Sequence, residues 1–186
     1  MDRGDSDLIK DYLEGDDQAL KFLIEKYTSL VYNYVARFVG SDTAPDIVQD
    51  VFIKVWKNLK KYDVEKANFK TWLFTIARNT ITDYLRKKKM ITFSTLDTEE
   101  DTFESKIEDE VILPLEALIQ MEDKVYLNKL LDQISDSYRE VLILYYQDEL
   151  NFREIGEILG KPLNTVKSYH HRALVLLRQL AQDIPI

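Results

Sequence analysis

With 186 residues and 45% apolar side chains, the chain is long enough to build one or two modest cores. The absence of cysteine excludes a disulfide framework, thiolate metal ligation and thiol catalysis. No window approaches the roughly 20 apolar residues of a membrane span, and the acidic residues 1–17 lack the apolar centre of a secretory signal, so a soluble, cytoplasmic protein is expected.

Only five Gly and four Pro occur among abundant Leu, Ile, Lys and Glu, and no long stretch alternates as a strand would, which predicts an all-α fold. A short helix near residues 8–14 precedes a long one over about 19–39. There Leu23, Ile24, Tyr27, Leu30, Val31, Tyr34 and Phe38 recur at helical spacing until Gly40. Ser41 or Asp42 is expected to cap the next helix, with Pro45 in its first turn. Its apolar stripe reads Ile47, Val48, Val51, Phe52, Val55 and Trp56, and the opposite face carries Asp46, Gln49, Asp50, Lys54 and Lys57. After a loop over 60–68, a third long helix spans about 69–89, with Phe69, Trp72, Leu73, Ile76, Ala77, Ile81, Tyr84 and Leu85 inward. Three amphipathic helices with short connections make one small bundle.

The net charge of −8 is unevenly spread. Residues 1–60 carry −3, residues 61–90 carry +5, residues 91–125 carry −9 and residues 126–186 carry −1. Charges are screened over roughly 8–10 Å, so a phosphate backbone meets the local basic block and not the acidic average. The acidic stretch 91–125 reads as a flexible linker. The expected organisation is therefore a helical domain over 1–90, the acidic linker over 91–125, and a second, smaller helical domain over 126–186. Helices are expected in the latter near 137–146, 151–159 and 164–180.

The sharpest local signal lies near the C-terminus. Residues 152–160 form a short helix stopped by Gly160, residues 161–163 a tight turn around Pro162, and Asn164 or Thr165 caps a long following helix. This is the grammar of a helix-turn-helix. From Lys161 to Arg178 there are four cationic and no acidic residues, and Lys167, Ser168, Tyr169, His170, His171, Arg172 and Arg178 are expected to be exposed. That set suits a helix entering a major groove. A packing hairpin with a solvated basic face is the competing reading. A metal site at His170 and His171 is disfavoured, because neighbours on a helix point about 100° apart and no third histidine or cysteine exists.

In the third helix the aromatic residues Phe69, Trp72, Phe74 and Tyr84 alternate with Lys70, Arg78, Arg86 and the run Lys87, Lys88, Lys89. Cations that follow a backbone beside aromatic faces can hold single-stranded nucleic acid, though such rings are equally core material. Phe74, Arg78 and Asn79 are expected at the surface. No phosphate-binding glycine loop, nucleophile constellation or metal-ligand set is visible, so neither an enzyme nor a cofactor is expected.

These segments, in this order, resemble the extracytoplasmic-function (ECF) group of bacterial RNA polymerase sigma factors. Residues 46–56 are similar to that family's polymerase-binding helix, residues 69–79 to its promoter-melting helix, and residues 151–173 to its region 4 helix-turn-helix. The resemblance implies a factor that binds core polymerase, recognises the −35 and −10 promoter elements and promotes DNA opening. It implies that Asp46, Gln49, Asp50 and Lys54 meet the clamp of the largest subunit, and that the flap of the second-largest subunit is a further contact. It implies that residues 62–68 and the start of the next helix take up a flipped −10 base, with Asn68, Phe69, Lys70, Phe74, Arg78 and Asn79 at the −10 strand. In region 4, Lys167 and His171 would face −35 bases, with Thr165, Ser168, Tyr169 and Arg172 beside them. An anti-sigma factor is among the partners it implies; a small-molecule substrate is not. Asn164 stands where the family commonly has glycine, and Tyr169 where it often has arginine, which leaves the promoter sequence open.

Overall fold

In the computed structural model, residues 3–92 and 124–182 are described. Among them are eight α-helices and no strand: α1 Asp5–Leu13, α2 Asp17–Val39, α3 Ala44–Asn58, α4 Phe69–Thr92, α5 Lys124–Leu131, α6 Asp136–Leu142, α7 Phe152–Leu159 and α8 Leu163–Gln182. The expected all-α class is observed. They fall into two compact units, residues 3–92 with 153–161, and residues 124–152 with 162–182. Most of the acidic stretch, residues 93–123, lies outside the described residues.

In the first unit α2 packs against α1, α3 and α4, and α3 also packs against α4. Asp16 starts α2 by accepting the Gln18 N–H at 2.9 Å, after a turn that needs Gly15 at φ +111°. The core is made by Leu23, Tyr27, Val31, Tyr34 and Val35 of α2, Ile47, Val51 and Val55 of α3, and Phe69, Leu73, Phe74, Ala77 and Ile81 of α4. Each Val, Leu, Ile or Phe among them contributes roughly 1.5–3 kcal/mol when fully buried. Asp5 of α1 accepts from Lys26 Nζ at 2.7 Å and from the Tyr27 hydroxyl at 2.5 Å, which pins α1 to α2.

Several expectations about this unit need correction. Neither Ser41 nor Asp42 caps α3: the Ser41 hydroxyl donates to the Asp42 carboxylate at 3.3 Å, and the helix begins at Ala44 with Pro45 in its first turn. Trp56 leaves the apolar stripe and is 54% exposed, its indole N–H donating to the Tyr12 hydroxyl at 2.8 Å. The reason is angular: nine residues past Ile47, an ideal helix has turned about 900°, placing Trp56 on the opposite side.

In the second unit, α8 packs against α5 and α6. Leu130, Ile134, Leu142, Ala173, Leu174 and Leu177 form its buried centre, with Tyr138 and Tyr146 against it. α6 widens into a π-helical turn, Ile143–Gln147, closed by the Leu150 N–H donating to the Leu144 carbonyl at 3.0 Å.

Candidate functional site

Three surfaces gather the expected residues. On α3 the buried side chains Ile47, Val48, Val51 and Val55 turn Asp46, Gln49 and Asp50 outward, all three exposed on one face. Lys54 departs from this group. Its ammonium donates to the Thr80 hydroxyl of α4 at 3.0 Å and lies 4.0 Å from the Asp83 carboxylate, so it ties α3 to α4 at the edge of the face. Ile53, 38% exposed, continues the acidic face by one further turn, and Trp56 flanks it. The sequence pattern assigns Ile53 to neither face and Trp56 to the inner stripe; the available signal was Ile53 sitting seven residues after Asp46.

The second surface runs along α4 and wraps around it, since Lys70 and Asn79, nine residues apart, face opposite sides of the helix. Asn68 is exposed, and its side-chain oxygen accepts the Thr71 N–H at 2.8 Å, so it caps α4. Asn79 is exposed, and Lys70 and Arg78 are half-buried. Arg86, Lys87 and Lys88 are exposed beyond them, with Arg86 paired to Asp83 at 3.1 Å.

The two phenylalanines do not join this surface. Phe74 is fully buried against Tyr34, ring centroids 5.1 Å apart, which corrects its expected exposure. It falls in the same arc of the helix as Leu73, Ala77 and Ile81. Phe69 is buried among Tyr27, Tyr62 and Trp72, at centroid distances of 5.4, 5.8 and 5.8 Å. Neither ring presents a face on which a base could stack.

The third surface is the outer face of α8. α7 ends at Gly160, whose φ of +62° favours glycine, and the Lys161 N–H donates back to the Gly156 carbonyl at 3.0 Å. α8 begins at Leu163, earlier than expected, with the Val166 N–H on the Pro162 carbonyl at 3.1 Å. Asn164 is thus inside the first turn, and its carbonyl accepts the Ser168 hydroxyl at 2.9 Å. Lys167 and Ser168 are exposed; Thr165, His171 and Arg172 are half-buried. Tyr169 turns its ring edge-on to Tyr138 at 5.3 Å.

His170, expected at the surface, is instead packed inward. Its ring lies 4.8 Å from Tyr145, 5.5 Å from Tyr146 and 5.1 Å from Phe152, with Nε2 3.2 Å from the Tyr146 hydroxyl. Four residues after the buried Val166, it belongs to the inner stripe of α8. Burial, and secondarily His171, hold its imidazole below the usual histidine range. Among the described residues no cluster of three or more His, Cys, Asp or Glu is placed to hold a metal ion. No described helix is long and apolar enough to cross a membrane.

Comparison with known proteins adds the family. The family model of Sigma-70 region 2 matches residues 23–90, and that of Sigma-70, region 4 matches residues 124–177. The chain is 34% identical over 180 residues to the ECF RNA polymerase sigma factor SigW of Bacillus subtilis, covering 95% of this chain and 96% of that one. It is 31% identical over 172 residues to the ECF RNA polymerase sigma-E factor of Escherichia coli, covering 91% and 90%. A similar solved structure is that of the sigma factor RpoE in complex with the anti-sigma factor NepR from Bartonella quintana. It has a TM-score of 0.67 and 26% identity, covering 89% of this chain and 98% of that one.

Proposed function

The chain belongs to the ECF sigma factors of RNA polymerase, and from this membership we propose how its surfaces divide the work of transcription initiation. Residues 1–90 act as region 2, which binds core polymerase and reads and melts the −10 element. Residues 91–125 act as the acidic linker, and residues 126–186 as region 4, which reads the −35 element. The observation that carries this division is the order of the two region matches along one chain, with an exposed acidic face in the first and an outward basic helix face in the second.

Asp46, Gln49 and Asp50 contact the polymerase clamp, with Lys54 supporting them from the edge of the face. Asn68, Lys70, Arg78 and Asn79 meet the separated −10 strand, and Phe69 and Phe74 hold that surface from beneath. Thr165, Lys167, Ser168, Tyr169, His171 and Arg172 meet the −35 duplex. Opening proceeds by population shift: unpaired −10 bases gain a partner on region 2 that the closed duplex lacks. The polymerase performs the phosphoryl transfer; this chain carries out no reaction of its own and works in the cytoplasm. An anti-sigma factor is a partner of the class seen with RpoE.

The test is binding of labelled protein to core RNA polymerase beside a Gln49→Ala/Asp50→Lys variant. Tight binding that the double change abolishes is the expected outcome. Absence of binding, together with tight duplex binding by the free chain, would instead indicate a stand-alone regulator.

A further inference from the structure

Residues 62–68 connect the 3-10 turn Leu59–Lys61 to α4. Val64, Glu65 and Lys66 at their centre are exposed, so little packing shapes the middle of the loop. Its ends are closed by polar contacts. The Tyr62 hydroxyl donates to the Ala67 carbonyl at 3.0 Å, joining the first residue of the loop to its sixth. At the far end Asn68 caps α4 through the Thr71 N–H. Between them the Asp63 carboxylate accepts the Glu65 N–H at 3.1 Å, the Asp63 carbonyl accepts the Lys66 N–H at 3.1 Å, and Lys66 Nζ lies 3.2 Å from that carboxylate.

Tyr62 itself is held from the core side. Its ring stands edge-on to Phe69 at 5.8 Å and tilted to Trp72 at 5.1 Å, and Phe69 in turn lies against Tyr27. The hydroxyl therefore projects from a ring whose own position is fixed by the bundle. Burial, then the carboxylates of Asp5 and Asp63, push the Tyr62 hydroxyl up from its ordinary range, so it stays a protonated donor.

We propose that Tyr62 is a positioning residue for −10 recognition, its hydroxyl clasping the Ala67 carbonyl so that residues 63–67 keep the shape that receives a base. This rests on the reading above that the loop meets the −10 strand. The physical gain is preorganisation. A loop already closed gives up less conformational freedom when a base binds, and a mismatched base cannot be accommodated by letting the loop relax.

Tyr62→Phe removes one oxygen and keeps the ring. Holoenzyme assembled from the full chain and core polymerase is measured on a matched promoter and on promoters with single substitutions in each element. The expected result is a roughly two- to tenfold fall in discrimination at one −10 position, the worth of one hydrogen bond. Core affinity and discrimination at −35 stay unchanged. Uniform loss across promoters would mean a merely structural role and overturn the proposal. A companion variant replaces residues 63–66 with Gly and Ser. If it loses −10 discrimination while Tyr62→Phe does not, the loop reads DNA without the clasp, and the proposal fails. If it binds core polymerase and keeps full −10 discrimination, the reading of the loop itself fails.

Discussion

Val166, His170, Ala173 and Leu177 of α8 fall within an arc of about 60° on an ideal helix, and burial of that arc decides which neighbours face outward. Lys167 and Ser168 emerge exposed, with His171 partly so beside them. A base-edge contact from such a side chain is worth about 1–3 kcal/mol, whereas a phosphate contact is indifferent to sequence. Lys167→Ala should therefore weaken binding at one −35 position. Binding of holoenzyme to a set of singly substituted −35 elements checks this, and equal loss on all of them would reassign Lys167 to the phosphate backbone. Tyr169 differs in kind: its ring is engaged edge-on with Tyr138, and it carries no charge to neutralise phosphate.

At the scale of elements, α6 and α8 are joined by an aromatic box. The π-helical turn brings Tyr145 and Tyr146 onto His170, and Tyr145 also stacks on Phe152 at 4.7 Å and 15°. A protonated imidazole is disfavoured there, chiefly by burial and then by His171. The sign follows from linkage. The folded-state histidine is depressed, so once pH falls below the ordinary histidine range the unfolded chain binds the proton more readily, and stability declines. The protein is therefore expected to unfold more easily at about pH 5 than at about pH 7.5, and His170→Phe should remove part of that difference. Thermal unfolding at the two pH values, read through tyrosine signals, measures it; an unchanged difference in the variant would assign the effect to other groups. α3 obeys the same geometric logic without titration: an inner stripe from Ile47 to Val55 leaves the acidic face outward, and Trp56 beside it held by Tyr12.

Across the whole molecule, the net charge of −8 contains a +5 segment, residues 61–90, and a −9 segment, residues 91–125, with −4 on the remaining residues. Affinity for any DNA rises with each phosphate neutralised, regardless of sequence, and a factor with unopposed basic surfaces would be lost to non-specific sites. The acidic segment is expected to counter that. Deleting residues 93–123 from the full chain should raise the affinity of the free protein for random duplex DNA and steepen its salt dependence. Titration at two salt concentrations tests this, and unchanged affinity would remove the acidic segment from the account.

Much of this protein is legible in its sequence because its signals are local. Helical periodicity, a glycine stop at Gly160 with a proline turn after it, and the separation of charge along the chain need no knowledge of distant contacts. They suffice for the all-α class and the resemblance to ECF sigma factors, and they single out the outward residues Asp46, Gln49, Asp50, Asn79, Lys167 and Ser168, whereas Asn68 entered only through that resemblance. Only the tertiary structure decided the fate of side chains at the boundaries of the apolar stripes. Phe74 was buried, His170 was half-buried against Tyr145, Tyr146 and Phe152, Trp56 was left exposed, and Lys54 was drawn onto Thr80. Periodicity fixes the angle of a residue around its helix axis. Whether that angle is covered depends on where the neighbouring helix lies, a property of packing between elements far apart in the chain.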